Sequence, residues 1–441
     1  MGFISGRCRA QVGMFPPTLD ELVPADHFCR VIDRFLRRVD MPAAGFVRAE
    51  PADTGRPGYD PCDLLKLLAY GCLQQIRSSR RLEAETRRNV EVMWLLHELT
   101  PDHKSIAEFR RLNGEAIAAV TGELIQFARE SKLIHGEWSV IDGSKFAAAS
   151  SKEAVREREA VARYLEQLEK NDAQEEPEID PNAVAAALEW LDQHPEPQAS
   201  FMKTGQGKFP AYNVQIAVEV ENHLIVAHQV TTDKNDSRSL LPMAQAARAA
   251  VGAEEQEFHA VSDAGYRNAE HAGACEEEGI ITHVPVPPSK NPAGDGTYFD
   301  QSQFEYNQAE DTYRCPAGKT LPRQSQDGKV IRYLARREDC AACPLKSHCT
   351  DAAQRMIKRH RYQSAVERMR QRATPETMRL RKRTVEHPFA FLKYRVFGHP
   401  RFLLRGLRGA RTEISLAVLV YNFKRLVNVL GTGKMMQMLA T

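Results

Sequence analysis

The sequence predicts a mixed α/β domain behind an all-helical N-terminal domain, and three observations predict it. From about residue 135 to 285, β-branched runs and helix-forming runs interleave in the order strand, insert, strand, strand, helix, strand, helix, strand. Two of those strands, Ser139–Asp142 and Phe258–Asp263, are short and apolar, and each ends on an aspartate with glycine one or two places on. The first 134 residues carry helical periodicity and helix caps instead.

In the N-terminal part, Phe28, Val31, Ile32, Phe35 and Leu36 form an i, i+3, i+4, i+7, i+8 stripe. Gly55–Tyr59 is a turn cluster, after which Asp60 caps a helix that starts on Pro61 and buries Leu64, Leu65, Leu67, Leu68 and Leu73. The basic run Arg77–Arg81 leads to an apolar helix through Val92, Trp94 and Leu95. Thr100–Lys104 breaks it, and Ser105–Glu108 reads as a capping box opening a helix that carries Arg110 and Arg111. Short helices, a tight turn and a capped basic helix suit a helix-turn-helix-like DNA reader, with Arg110 and Arg111 toward the DNA. A plain helical bundle with a solvated basic face fits the same pattern.

A length of 441 residues allows two or three domains, and 42% hydrophobic with 27% charged residues is ordinary soluble composition. No run approaches the ~20 apolar residues of a membrane span, and Met1–Cys8 lacks the apolar core of a signal peptide. The expectation is an unanchored cytoplasmic protein with no membrane partner. The net charge of +2 hides strong zoning. Residues 152–200 hold 13 acids and 5 bases, whereas residues 354–411 hold 17 bases and 3 acids. So one-sided a basic block points to a polyanion partner.

Asp142 and Asp263 are the candidate chemical groups. An Asp-Gly pair commonly does no more than start a turn; the repetition of the design argues for more. Two strand-end carboxylates need a third acid and a divalent metal to form a phosphoryl-transfer site. Between them, residues 152–200 read as an inserted helical hairpin, with Asn182 capping its second helix. Tyr212–Val220 and Leu224–Val230 read as a strand hairpin around Glu221–His223, followed by helices near 239–250 and 268–278 and a strand at 280–284. The third acid is Glu386, the only acid between Glu376 and Glu413 and set in the basic block. Lys393, seven residues on, shares its face if the helix survives Pro388. A long amphipathic helix over 411–430 would pack on the sheet.

A second insert, about 287–355, carries Cys315, Cys340, Cys343 and Cys349 in a C-x24-C-x2-C-x5-C spacing. Four thiols with one C-x2-C knuckle suggest a tetrahedral zinc site; an iron–sulfur cluster or four reduced thiols fit the spacing too. Few large apolar residues lie between Asp311 and Asp351, so a metal clip would stabilise the segment. Cys8, Cys29, Cys62, Cys72 and Cys275 stand singly and read as buried small residues.

Asp142-Gly143-Ser144, Asp263-Ala264-Gly265-Tyr266 and Val385-Glu386-His387-Pro388-Phe389 together resemble the three acidic motifs of insertion-sequence transposases with an RNase H-like DDE core. Gly55-Arg56-Pro57 and Ser105–Arg111 resemble that family's N-terminal domain, and the cysteines resemble those of one subgroup, so the likeness runs from about Phe15 to Leu430. One departure stands out against the wider pattern Tyr-x2-Arg-x3-Glu-x6-Lys: Glu386 and Lys393 fit, but Arg379 and Lys382 stand at the Tyr and Arg places. The resemblance implies a helical DNA-binding domain over 1–134 and a catalytic domain over 135–441. Asp142, Asp263 and Glu386 would hold two Mg²⁺, or Mn²⁺ in their place, roughly 3.5–4 Å apart as in two-metal sites. Lys382, Arg383 and Lys393 would meet DNA phosphates. The implied activity is cleavage and strand transfer at terminal inverted repeats of double-stranded DNA, by a homodimer on paired ends, at the nucleoid. A non-catalytic DNA-binding derivative and a plain metal-dependent nuclease are the rival readings.

Overall fold

The computed structural model describes residues 17–440 apart from 52, 55–56, 157, 160, 163–185, 187–188, 190–195, 197, 205–206 and 288–297. The Gly55-Arg56 part of the expected turn, most of the expected helical hairpin with its Asn182 cap, and Cys8 lie outside the described residues. The chain forms two compact units. One holds residues 1–135, 143–234 and 384–441; the other holds 136–142 and 235–383.

The first unit begins with helices α1 (Phe28–Leu36), α2 (Pro61–Leu73), α3 (Ser79–Glu85), α4 (Val90–Leu95), α5 (His103–Leu112) and α6 (Gly114–Glu130). The apolar stripe of α1 is its buried face: Cys29, Val31, Ile32, Phe35 and Leu36. Asp60 caps α2 as expected, accepting from Cys62 N at 2.7 Å in front of Pro61. The cap of α5 differs from the expected Ser105 box. Asp102 accepts from Lys104 N at 2.8 Å and Ser105 N at 3.0 Å, so the helix starts three residues earlier. A carboxylate directly after Pro101 meets the free amides first, and Ser105 is left inside the helix.

Strand β1 (Trp138–Ala147) contributes its later residues to this unit, beside the antiparallel strands β2 (Ser200–Thr204), β3 (Gly207–Glu219) and β4 (Ile225–Thr231). The hairpin turn falls at Glu221–His223 as predicted, with β3 longer than expected and paired on its other side by β2. The helix expected over 411–430 is longer, running through Gly406–Leu430, and is buried almost all round between Thr412 and Phe423. Its Asn422 is buried yet satisfied: the amide oxygen accepts from Ile225 N and the amide nitrogen donates to Ile225 O, both at 2.9 Å. This side chain completes the hydrogen bonding of the first residue of β4.

The second unit takes the start of β1 and pairs it in parallel with β5 (Phe258–Val261), which pairs in parallel with β6 (Ile280–His283). Helices α7 (Leu240–Val251) and α8 (Ala269–Glu277) precede and follow β5, close to the predicted spans. The cysteine segment holds more structure than its sequence suggested. Strands β7 (Glu305–Asn307), β8 (Thr312–Arg314), β9 (Thr320–Asp327), β10 (Val330–Leu334) and β11 (Met356–His360) form an antiparallel sheet in the order β11-β10-β9-β8-β7. Phe304, Tyr313, Leu321, Tyr333, Ala335 and Ile357 make a core of its own. The expectation that this segment buries little is therefore corrected: three aromatic residues, Phe304, Tyr313 and Tyr333, with Leu321 and Ile357, supply the area. Short helix α9 (Arg337–Ala341) carries Cys340, and α10 (Gln363–Arg372) follows β11. Helix α11 (Pro375–Ala390) crosses the boundary between the units at Arg383. By chain order the long helix Gly406–Leu430 is α12, and α13 (Thr432–Met438) ends the chain. No single described helix is long and apolar enough to cross a membrane.

Candidate active site

Within the second unit, Asp142 and Asp263 come together on one cation. Arg381 donates through Nη2 to Asp142 Oδ1 at 2.8 Å and to Asp263 Oδ2 at 3.4 Å. Three chain segments far apart in sequence supply these side chains.

Asp142 was expected at a strand end, but β1 continues past it to Ala147. The parallel pairing with β5 is what stops, after Val140↔Val261. Gly143 and Ser144 read as a turn on propensity alone; pairing beside β3 holds them extended, a tertiary override of local preference. Asp142 therefore sits just beyond the last β5 partner, half-buried, with its carboxylate outside the ladder.

Asp263 stands where it was expected, directly after β5, as the cap of a short 3-10 turn over Ala264–Tyr266. Its Oδ1 accepts from Gly265 N at 2.8 Å, which leaves Oδ2 for Arg381. The glycine lies close against the carboxylates: a Cβ at residue 265 would fall 2.9 Å from Asp263 Oδ1, pressing on that side chain, and 3.7 Å from Asp236 Oδ2. That geometry also brings in Asp236, an acid the sequence reading passed over. Tyr266 is fully buried. Burial pushes its phenol well above the usual value, and the charges of Asp236, Asp142 and Asp263 push the same way while Arg381 opposes them. The phenol thus stays neutral in the field of three carboxylates and one guanidinium.

Glu386 lies in the part of α11 that belongs to the first unit, exposed to solvent. The helix does survive Pro388, continuing to Ala390, and then opens into a π-helical turn over Phe391–Val396 that carries Lys393. The wider turn shifts Lys393 off the α-helical i+7 register expected for it; its ammonium stands 5.4 Å from the Phe389 ring centroid. Lys382 and Arg383 are exposed, as is Arg111. Arg110 is not: it is 8% exposed, with Nη1 donating to Arg77 O at 2.8 Å and Nη2 to Ser79 Oγ at 3.4 Å. Burial pushes its pKa down. The reading of Arg110 as a DNA-facing residue is corrected to a guanidinium that supports the chain at Arg77.

Cys315, Cys340, Cys343 and Cys349 line one cavity of about 30 Å³, with Phe299, Leu321 and Arg355 around them. Burial raises the Cys349 thiol; Arg355 opposes, and the other three cysteines add to the rise. All four are free thiols, and no three of their sulfurs approach within 4.8 Å of one another. Among the described residues, the trio whose donor atoms do come that close is His27, Cys29 and Glu91. Its bonding explains it without a metal. His27 Nδ1 accepts from Cys29 N at 3.3 Å, so in the neutral ring the proton sits on Nε2, which faces Glu91 Oε1 at 3.4 Å. Tyr70 donates to Glu91 Oε2 at 2.8 Å, and burial pushes the Cys29 thiol up to about 12. The trio is a hydrogen-bond junction of α1, α2 and α4.

Two family models match the chain. The family described as Transposase DDE domain matches residues 140–423, a span that includes Asp142, Asp263 and Glu386. The family described as Transposase domain (DUF772) matches residues 17–112, the first five helices. No curated protein matches the chain. Proteins with such a DDE domain use divalent metal ions to act on DNA. With the family matched over more than half its length, the chain belongs to the DDE transposases of insertion sequences.

Proposed function

We propose that the chain binds the terminal inverted repeats of its insertion sequence and catalyses metal-dependent strand cleavage and strand transfer. The observation that carries this reading is the convergence of Asp142 and Asp263 on a single positive group. Carboxylates that gather a guanidinium offer the hard oxygen donors and the negative field that Mg²⁺ requires, so the residues fit the ion. Asp142 and Asp263 would hold Mg²⁺, or Mn²⁺ in its place, and the motif makes Glu386 the third acid. Bound there, the metal supplies positive charge where a water or a DNA 3′-OH is activated and where the leaving oxygen develops charge.

The chain's own residues do the rest. Gly265 N holds one oxygen of Asp263 and so aims the other into the site. Lys382, Arg383 and Lys393 are cations on the same stretch as Glu386, suited to the phosphates flanking the reacting one. Arg111 would serve the N-terminal helices in the same way. Two copies of the chain would assemble on paired ends, as strand transfer needs both ends together. Cys315, Cys340, Cys343 and Cys349 would hold one structural zinc in their shared cavity, drawing the sulfurs closer.

The test uses a supercoiled donor plasmid carrying the inverted repeats that flank the gene. Wild-type protein with Mg²⁺ should give joined products as well as cut ones. Asp142→Asn should abolish both while binding repeat DNA as before, since it removes a ligand and adds no bulk. Cutting without joining would leave a nuclease, and an Asp142→Asn variant that cuts at the wild-type rate would refute the assignment.

A further inference from the structure

Arg381 stands where a cation belongs. It touches both acids through the same nitrogen, Nη2, and not through the two-pronged contact by which arginine grips a structural carboxylate. Its Nε is buried and meets no hydrogen-bond partner among the described residues. Arg77, a structural arginine of this chain, differs: its guanidinium serves Phe397 O, Arg401 O and the Glu413 carboxylate at once. Arg381 is 18% exposed and Asp263 44% exposed, so a hydrated ion has a route to the carboxylates while the guanidinium is in place. The charges of Asp142, Asp263 and Asp236 all act on the buried Tyr266, and Arg381 opposes them. Like charges so placed repel one another and disfavour the arrangement.

We propose that Arg381 is a built-in placeholder cation: it holds Asp142 and Asp263 together in the metal-free chain, and a divalent metal must displace it to bind. The proposal rests on the reading of Asp142 and Asp263 as metal ligands. It makes Arg381 a positioning residue with two consequences. The carboxylates are preorganised before metal arrives, and the apparent metal affinity is lowered by the fraction of molecules in which the guanidinium is engaged. The displaced side chain then joins Arg379, Lys382 and Arg383 as a further cation on α11.

The experiment is a titration with Mn²⁺ alone, read by the electron paramagnetic resonance of free Mn²⁺, on full-length wild type, Arg381→Gln, Arg379→Gln and Asp142→Asn. Arg379 lies two residues earlier on α11 and is exposed, so its variant removes the same charge without touching the acids. Arg381→Gln should bind Mn²⁺ roughly tenfold more tightly than wild type, Arg379→Gln should match wild type, and Asp142→Asn should bind more weakly. Thermal melts provide a second readout: Arg381→Gln should melt lower than wild type without metal and gain more from added Mn²⁺. Equal affinity of wild type and Arg381→Gln, with Asp142→Asn still weakened, would overturn the placeholder and leave the metal ligands standing. Equal tightening in Arg379→Gln would overturn it in favour of a general field effect. Wild-type affinity in Asp142→Asn would instead overturn the reading on which the proposal rests.

Discussion

Arg77 and Glu413, 336 positions apart, form a buried ion pair in the first unit. Glu413 also accepts from Leu403 N at 2.8 Å and Leu404 N at 2.6 Å, and Arg77 also donates to Phe397 O and Arg401 O. The pair closes the loop between the π-helical turn and α12, and Arg110 supports it through Arg77 O. Arg77 stands in the sequence as the first of a basic run; the fold uses it in structure. Removing one partner strands the other, buried at 5% or 12% exposure. Glu413→Gln or Arg77→Met should therefore lower stability by about 3–5 kcal/mol, measured by urea denaturation. A loss below 1 kcal/mol would mean that water reaches the pair.

What was legible in the sequence was local. Asp60 with Pro61, the α1 stripe, the turn at Glu221–His223 and the end of β5 before Asp263 each depend on neighbours within a few positions, and each is where the pattern put it. What was not legible depends on distant partners. β1 runs through Gly143 because pairing beside β3 outweighs turn propensity. In β9 only Leu321 is buried among eight residues, so no alternation marks it as a strand. Nothing local separates Arg381 from Arg379, Lys382 or Arg383; only the positions of Asp142 and Asp263 single it out. Asp236 was hidden for the same reason, since it borders Gly265 only in the fold.

Glu386 offers a clean separation of chemistry from stability. It is exposed and makes no hydrogen bond or ion pair among the described residues. A surface substitution with no partner to lose shifts stability by no more than about 0.5 kcal/mol. Glu386→Gln should thus melt like wild type and bind repeat DNA, yet lose donor cleavage by at least about a hundredfold, as loss of one charge-stabilising group does. Retained cleavage would remove Glu386 from the catalytic set.

The cysteine segment has its own aromatic core, and this changes what metal removal should do. Purified protein should carry about one zinc per chain, and Cys343→Ser should lose it. Because Phe304, Tyr313, Leu321, Tyr333 and Ile357 form a core of side chains that no metal would ligate, chelation should loosen the loops that bear the cysteines and leave the β7–β11 sheet folded. Hydrogen exchange after chelation would read this directly, with faster exchange at Cys340–Cys349 and protection kept in β9 and β10. Exchange of the whole segment would show that the ion stabilises the sheet as well. Iron with labile sulfide in place of zinc would make the site a cluster.

His228 sets a pH dependence whose sign can be worked out. Burial lowers its pKa from 6.5 to about 4, and its Nε2 lies 2.9 Å from Ser415 Oγ. Above pH 6.5 the ring is neutral both folded and unfolded, and stability does not depend on it. Between 6.5 and about 4 the unfolded chain takes up a proton that the folded chain refuses, so stability falls as pH falls. Complete burial would make this loss about 3 kcal/mol, at ~1.4 kcal/mol per pH unit. The ring, however, lines a cavity of about 390 Å³ shared with Arg408 and Arg411, which admits water. The loss should therefore lie nearer 1–2 kcal/mol, a rough discount for solvent reaching the ring. His271, His283, His360 and His387 are also lowered by burial and act with the same sign, so the difference from a variant isolates His228. Denaturation of wild type and His228→Gln at pH 7.5 and pH 5 should show a smaller drop in the variant. Equal drops would mean that water solvates the protonated ring in the folded chain as well as it does in the unfolded one.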